Sequence, residues 1–349
     1  MSVLSFQNIV MIPFTICSVI MFQGCDSDVT CKNDSGHDVD WFILYKLPAG
    51  LSYYYMDEST SGWRLSAKQI DSVTGALGNT LKPLLDFYDK KTEGFGYMLY
   101  NDQPSNKKGA APSRFGHSKG VVLLNRMGGV WLSHSTPRFP NYRRKVFWPK
   151  NANANAQTFM CVTYPYEQFN QIGIQLKYIR AYSFDSDLPT TFDNNLRCVA
   201  QQSCVPRGPP WFSVMTLTSK SGRKFSSFAK YTRFGDDLYS GLIVNKALQN
   251  LYVKSWGRMR HPLPSNCTTT IPHHVYNVKK LMFTQKICFN FTQDHSKWSV
   301  TVDGSWTCIA DMNREESQMK RGGGAICTDN PVVGKAFVRL IPDSGYEKC

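Results

Sequence analysis

The chain has 349 residues, of which 42% are hydrophobic and 13% aromatic, a composition that excludes a disordered protein and allows one large domain or two ordinary ones. Its 40 Lys and Arg against 26 Asp and Glu give a net charge of +14 with the His neutral. This excess favours a polyanionic partner, namely nucleic acid, acidic glycan or anionic lipid. The alternative is a basic protein without such a partner.

Residues 9–22 form the only long apolar run, IVMIPFTICSVIMF. The run has the length of a signal-peptide core and is too short for a membrane span. We therefore predict a signal peptide over residues 1–24, cleaved near Gly24, and no membrane anchor in the mature chain.

Cysteines and glycosylation patterns also indicate export. The eleven Cys lack metal-ligand spacing, so in an exported protein they are expected to form disulfides. Three N-glycosylation patterns have Asn33, Asn266 and Asn290 as acceptors. The expected location is the secretory pathway, either lysosomal or secreted.

Strands and helices alternate along the mature chain. Predicted elements before residue 183 are a strand over 38–48, a helix over 72–88, strands over 94–102 and 157–165, and a helix over 166–182. Those after residue 210 are a hairpin over 213–231, a helix over 234–251 that begins at Asp236 or Asp237, a strand over 275–284 and a helix over 332–340. The alternation predicts an α/β sandwich of two similar halves.

Residues 183–210 are polar and rich in Pro, and show no clear period. We interpret this segment as a linker between an N-terminal half, residues 25–182, and a C-terminal half, residues 211–349. Within it, Cys198 and Cys204 are close enough to close a small local loop.

The tripeptide His-Ser-Lys occurs once in each half, at His117–Lys119 and at His295–Lys297, and a Gly-x-Trp follows each copy. The runs His117–Asn125 and His295–Asp303, motifs included, are predicted to be strands, in which positions i and i+2 share a face. Each half is therefore expected to project an imidazole and an ammonium toward one cleft. The alternative is two unrelated surface hairpins. His134, at a strand end one hairpin width from His117, either supports the site or packs within the sheet.

Two imidazoles and two ammonium groups suit phosphodiester hydrolysis. One His can attack phosphorus and form a covalent phosphohistidine. The other can act as the general acid and then as the base that activates water. Lys119 and Lys297 would stabilise the charged transition state. No metal or cofactor is then required, and because a free His has a pKa of about 6.5, acidic conditions should favour activity. The basic segment Lys254–Arg258 could track phosphates and stack bases, or form a solvated face.

Several long segments match one known family. They include LYNDQP (Leu99–Pro104), GHSKGVVLL (Gly116–Leu124), GGVWLSHSTPRFP (Gly128–Pro140), SFAKYTRFGDDLYSG (Ser227–Gly241), DHSKW (Asp294–Trp298) and WTCIADMNREESQMKRGGGAIC (Trp306–Cys327). With these segments the chain resembles the deoxyribonuclease II family, the acid DNases of animal lysosomes and secretions, over nearly all of its mature length.

The resemblance implies a phospholipase D-like fold, an α/β sandwich of two pseudo-symmetric halves in which each half is a mixed sheet flanked by helices. It also implies a metal-independent acid endonuclease that leaves 3′-phosphate ends on DNA. Its catalytic set would be His117, Lys119, His295 and Lys297. The implied disulfides are Cys31–Cys161, Cys267–Cys349 and Cys308–Cys327, while Cys25, Cys198, Cys204 and Cys288 have no partner in that scheme.

Phospholipases D carry an acid five residues after the motif Lys. Asn125 and Asp303 stand six residues after Lys119 and Lys297, and are therefore candidates for a supporting role. Two alternatives to the DNase remain open: a phospholipase D-like phosphodiesterase acting on lipid or RNA, and a non-catalytic secreted DNA-binding protein or toxin. One chain would complete the site, and a homodimer would extend the DNA groove.

Overall fold

The computed structural model describes residues 28–268 and 272–349. The predicted signal peptide and Cys25 lie outside the described residues. Within them the chain has a mixed α/β fold, as predicted. The helices are α1 (Ala76–Asp89), α2 (Gln168–Ile179), α3 (Asn194–Ala200), α4 (Val244–Ala247), α5 (Glu316–Met319) and α6 (Pro331–Val338). No helix in this part of the chain is long and apolar enough to cross a membrane.

The first part of the chain builds an eight-stranded sheet. The strands in this part of the chain are β1 (Cys31–Lys32), β2 (Asp38–Val39), β3 (Trp41–Lys46), β4 (Tyr53–Asp57), β5 (Arg64–Leu65), β6 (Gly96–Asn101), β7 (Lys119–Asn125), β8 (Gly128–His134), β9 (Gln157–Tyr164) and β10 (Ser183–Asp187). Strands β1 and β2 pair with each other, and the large sheet has the order β10-β6-β7-β8-β9-β3-β4-β5. Every pair in it is antiparallel. The predicted mixed sheet is therefore wrong for this half, because β6 to β9 follow one another as an up-and-down meander.

The second part builds a seven-stranded sheet. The strands in this part of the chain are β11 (Phe212–Thr218), β12 (Lys224–Lys230), β13 (Leu251–Lys254), β14 (Val275–Asn277), β15 (Lys280–Thr284), β16 (Ile287–Asn290), β17 (Trp298–Thr301), β18 (Thr307–Ala310) and β19 (Gly323–Thr328). The order is β11-β12-β19-β18-β17-β13-β14, and β15 pairs with β16 separately. This sheet is mixed, as predicted, since β13 and β14 run parallel.

The central strands are apolar on both faces because both faces are covered. Along β3, Trp41, Ile43 and Tyr45 join one core cluster, while Phe42 and Leu44 join another. The first cluster also contains Trp298 of the second sheet. It therefore lies between the two sheets and joins the halves, while separate clusters cover their other faces.

Several predicted boundaries need correction. The segment interpreted as an irregular linker contains β10, which pairs with β6 of the first sheet, and α3. The carboxylate of Asp193 caps α3 by accepting hydrogen bonds from two backbone amides. The helix predicted over 234–251 is only a π-helical turn, Tyr239–Ile243, followed by α4. The strand predicted over 275–284 is divided into β14 and β15.

Four disulfides staple the described chain. The three that the resemblance implied are present, and Cys198–Cys204 closes the predicted local loop. Cys288 is an exposed free thiol. Disulfides at this number are typical of proteins of the secretory pathway. The three glycosylation acceptors lie in exposed or half-buried positions.

Candidate active site

Each motif histidine lies just ahead of its strand rather than within it. Strand β7 begins at Lys119 and β17 at Trp298, so the prediction that all of His-Ser-Lys is strand is wrong. The reason is tertiary: the backbone N–H of His117 donates to the carbonyl of Gly322, and that of His295 donates to the carbonyl of Ala156. Both bonds cross between the two sheets, which brings the two motifs together.

The imidazoles are held in the same reciprocal way. Nδ1 of His117 lies 2.6 Å from the carbonyl oxygen of Asp311, and Nδ1 of His295 lies 2.9 Å from that of Ser135. A carbonyl can only accept, so each Nδ1 carries the proton and each Nε2 keeps a lone pair when the ring is neutral. Both residues are buried, with 6% and 9% of their surface exposed. The fold therefore fixes which nitrogen of each ring is available for chemistry.

Both imidazoles have a pKa well below the ordinary value of 6.5. For His117 the cause is burial, followed by Asp102, which raises the pKa, and then by Lys119 and Lys297, which lower it. For His295 the causes are burial and then Lys297, Lys119 and His117, all of which lower it. The pKa of each imidazole is thus shifted by charged groups of the other motif, as expected for groups that share one site.

Lys297 sits directly against His295. Its Nζ donates to the backbone carbonyl of His295 at 2.5 Å and lies 3.1 Å from Nδ1 and 3.3 Å from Nε2 of the ring. Because Nδ1 already donates to Ser135, it cannot accept a hydrogen bond from the ammonium. Burial, with Lys119 and Lys254, lowers the pKa of Lys297 well below its usual value. Binding of an anion would reduce the electrostatic repulsion among Lys297, Lys119 and Lys254.

Lys119 is paired with a carboxylate that the sequence interpretation missed. Its Nζ contacts Asp102, whose other oxygen lies 3.9 Å from Nε2 of His117 and 3.3 Å from Arg321. Burial alone would raise the pKa of Asp102, but Lys119, His117 and Arg321 outweigh it and hold the pKa well below its usual range. Asp102 therefore stays ionised in acid. The sequence contained a signal for this contact, because Asp102 belongs to the segment LYNDQP that matches the family. It directly follows Asn101, which pairs with Lys119 across β6 and β7.

The second motif is anchored to the first sheet through Tyr45. The Tyr45 hydroxyl donates to Asp294 at 2.6 Å and lies 2.8 Å from the hydroxyl of Ser296. Lys254 lies 3.3 Å from Asp294 and also donates to its backbone carbonyl. Because the side chain of Lys254 is fully buried, it cannot track phosphates as the sequence suggested. Asp294, Tyr45 and Lys254 form a buried support beneath His295.

A second carboxyl near the site is not paired with a cation. Asp311 is 6% exposed, and its side chain accepts backbone hydrogen bonds from Lys119 and Gly324. Its Oδ1 has no hydrogen-bond partner among the described residues. Burial raises the pKa of Asp311 to about 8. This group is therefore neutral in acid, and its backbone carbonyl still holds His117.

The remaining predicted site residues lie elsewhere. His134 is buried between Phe139 and Phe159, and its Nδ1 accepts from the backbone N–H of Thr136. It packs in the sheet and precedes Ser135. Asn125 is the last residue of β7, and Asp303 lies in the turn after β17. The side-chain oxygen of each accepts a hydrogen bond from the backbone N–H two residues further along the chain. At about 3.3 Å per residue, such turns lie on the order of 20 Å from the motif Lys. The structure therefore does not bring them to the imidazoles.

In the described part of the chain, no group of three His, Cys, Asp or Glu is arranged to hold a metal ion. The positive charge at the site is carried by Lys119, Lys297 and Arg321.

Comparisons with known proteins identify the family of this chain. The family model of deoxyribonuclease II matches residues 30–349. Deoxyribonuclease-2-alpha of Rattus norvegicus is 42% identical over 90% of this chain and 93% of the relative. Deoxyribonuclease-2-beta of Homo sapiens is 35% identical over 92% of each chain, and Plancitoxin-1 of Acanthaster planci is 35% identical over 98% and 99%. With a match over nearly its full length and both His-Ser-Lys motifs in one site, the chain belongs to the deoxyribonuclease II family of hydrolytic nucleases.

Proposed function

We propose that this protein is an acid endonuclease that hydrolyses DNA phosphodiester bonds without a metal, through a covalent phosphohistidine, and leaves 3′-phosphate ends. The observation that carries the proposal is the reciprocal backbone anchoring of His117 and His295. It leaves two Nε2 atoms in one cationic site. A nucleophile and a general acid are the two groups that a two-step displacement at phosphorus needs.

We assign the attack to His295 and the proton transfer to His117. Asp102 lies 3.9 Å from Nε2 of His117 and favours the protonated ring there. The charged neighbours of His295 are Lys297 and Lys119, which favour the neutral ring. The imidazole with the carboxylate is thus better suited as the acid, and the one among ammonium groups as the nucleophile.

Nε2 of His295 forms a bond to phosphorus, the bond from phosphorus to the 5′ oxygen breaks, and His117 gives its proton to that oxygen. Neutral His117 then takes a proton from water as the water oxygen bonds phosphorus and the P–N bond breaks. The products are a 3′-phosphate and a 5′-hydroxyl. Lys119, Lys297 and Arg321 stabilise the charge on the phosphoryl oxygens throughout.

The two halves are proposed to be related by pseudo-symmetry, as in a phospholipase D-like sandwich. Each motif opens a strand that pairs antiparallel with the next one, β7 with β8 and β17 with β18. On this proposal residues 25–182 and 211–349 each supply one half of the site. A single chain then suffices for catalysis, and dimerisation is not required.

Nicking of supercoiled plasmid DNA at pH 5 in EDTA tests the activity. His295→Ala and Lys297→Ala should each abolish nicking, whereas the exposed control variants His37→Ala and Lys246→Ala should retain it. Equal melting temperatures would show that the fold is intact. Nicking by His295→Ala would refute the assignment. Release of a headgroup from phospholipid vesicles with plasmid left intact would favour a lipid substrate instead.

The chemistry is tested on a 5′-labelled strand quenched in alkali, which preserves a phosphorus–nitrogen bond. The label should become attached to the wild-type protein transiently, and should not become attached to His295→Ala. The released fragments should resist polymerase extension until a phosphatase removes the 3′-phosphate. Attachment of a 3′-end label, or immediate extension of the fragments, would contradict this mechanism.

A further inference from the structure

One half-buried aromatic residue lies against the proposed nucleophile. The indole of Trp256 lies 5.0 Å from the His295 imidazole between ring centres, with the planes at 69°. It follows β13, two residues after the buried Lys254. The rest of the indole is partly open to solvent. A partly exposed aromatic ring thus borders the imidazole that would attack phosphorus.

The backbone around Trp256 is held on both sides. Its N–H donates to the side-chain oxygen of the buried Asn313 at 3.0 Å, and the next N–H, of Gly257, donates to the carbonyl of Phe291 at 3.2 Å. A Cβ at Gly257 would lie 2.5 Å from the Phe291 ring. The loop is therefore packed so closely that only Gly fits, and the indole is positioned before any ligand binds.

A cation also lies beside the indole of Trp256. The guanidinium of Arg258 lies 5.6 Å from the centre of the Trp256 ring and is exposed. An aromatic ring beside an exposed cation matches one nucleotide, since a base has a π-face and its phosphate is anionic. Surfaces that bind single strands combine these same two features.

We propose that Trp256 is a stacking platform for the nucleobase next to the phosphate that is attacked, and that Arg258 holds the neighbouring phosphate. The proposal rests on the proposed function of the His295 site. Stacking would place the reacting phosphate against Nε2 of His295. In a duplex the base would have to leave its stack, which costs least where pairing is already weak.

The test compares two oligonucleotides that each carry one cleavable phosphodiester among methylphosphonates. One has a base beside that linkage and the other an abasic residue, and both flanking positions are tried. The wild type should cleave the base-containing strand at least about fivefold faster at one position, the smallest effect expected for a stacked base. Trp256→Ala and Trp256→Leu should lose this difference, and Trp256→Phe should keep most of it.

Trp211→Ala is the matched control. Trp211 is also half-buried and has an Arg, Arg233, 5.0 Å from its ring, but it packs against Tyr231 rather than a motif histidine. The Trp211→Ala variant should keep the full preference for the base-containing oligonucleotide. Arg258→Ala should weaken DNA binding and reduce the salt dependence by about one phosphate contact.

Two outcomes would overturn the subsite. Trp256 variants that keep the base preference would show that stacking lies elsewhere. Variants that slow both oligonucleotides equally would show that the indole only supports the imidazole. Neither result affects the proposed function, which fails instead if His295→Ala still cleaves the base-containing strand. Trp256→Leu retains apolar volume, so a folded variant remains if Trp256→Ala does not fold.

Discussion

The Nδ1 atom of His295 lies 2.9 Å from the carbonyl oxygen of Ser135, which follows the last residue of β8 in the other sheet. His117 is held the same way by Asp311, which follows the end of β18. Each half thus orients the imidazole of the other. The consequence is that neither half orients its motif histidine by itself, and on the proposed mechanism catalysis would require the docking of the two sheets.

This anchoring predicts different effects for two substitutions of His117. An Asn amide can reach the position of Nδ1 and donate to Asp311, but it cannot replace Nε2. His117→Asn should therefore lose nicking as fully as His117→Ala, yet be more stable by about 1 kcal/mol, the usual contribution of one hydrogen bond. Urea unfolding and the plasmid assay measure the two effects. Equal stability of the two variants would argue against the carbonyl bond.

Asp102 should contribute stability in acid as well as at neutral pH. Its pKa is lower in the folded protein, so its contribution is present above the unfolded pKa of about 3.9 and is lost only as the pH falls through the folded value. Asp102→Asn leaves Lys119 buried without a carboxylate and should cost about 3 kcal/mol at both pH 5 and pH 7.

The control is Asp187→Asn, which removes the exposed ion pair with Lys91 and should cost less than about 1 kcal/mol. Asp102 also raises the pKa of His117, so Asp102→Asn should move the decline of activity to lower pH. A stability deficit for Asp102→Asn that disappears at pH 5 would contradict the lowered pKa.

The pH profile should reflect the lowered pKa of both imidazoles. In the free enzyme the protonated ring is lost at a pH below 6.5, so kcat/KM should decline with rising pH from a point below that value. A bound phosphodiester adds negative charge and raises the pKa of the rings, so the decline in kcat should lie at higher pH. Initial rates in EDTA give both curves. A rate that still rises above pH 8 would refute the acid role.

Asp311 should reduce stability as the pH rises. Burial raises the pKa of Asp311 in the folded protein to about 8. The stability that the neutral carboxyl contributes to the fold is therefore fully present below the unfolded pKa of about 3.9, and it is lost progressively as the pH rises to the folded value. The Asn of Asp311→Asn cannot ionise, so the variant should not lose this stability as the pH rises. The variant should melt at a higher temperature than the wild type at pH 7.5 and at nearly the same temperature at pH 4. A deficit of the variant at pH 7.5 would show that Asp311 is ionised and stabilising.

The disulfides should differ in their contribution because their loops differ in length. Cys198–Cys204 spans 6 residues and Cys31–Cys161 spans 130. Loop entropy predicts a loss of about 2 kcal/mol for the double Ser variant of the first and about 5 kcal/mol for that of the second. Guanidinium unfolding of the two variants gives the order. The reverse order would mean that residual structure in the unfolded chain dominates.

The strands of the first sheet were predictable because their pattern is local. Residues 38–48, 94–102 and 157–165 are apolar runs bounded by turn residues, and β3, β6 and β9 lie within them. The strand β10 inside the proposed linker was not predictable, because β10 is polar at its end and is a strand only through its pairing with β6. The pattern of 183–210 contains no information about that partner.

The sequence by itself determined the pair of His-Ser-Lys motifs, the three disulfides shared with the family and the family itself, since these depend on residue identity and order. Tertiary structure alone decided that His117 and His295 donate hydrogen bonds to the carbonyl oxygens of Asp311 and Ser135, and that Asp102 rather than Asn125 or Asp303 lies beside Lys119. It also decided that Lys254 is buried while Trp256 reaches His295. The physical reason is that these contacts join residues far apart in the chain. Burial and charge act through space, where the docking of two sheets sets the distances.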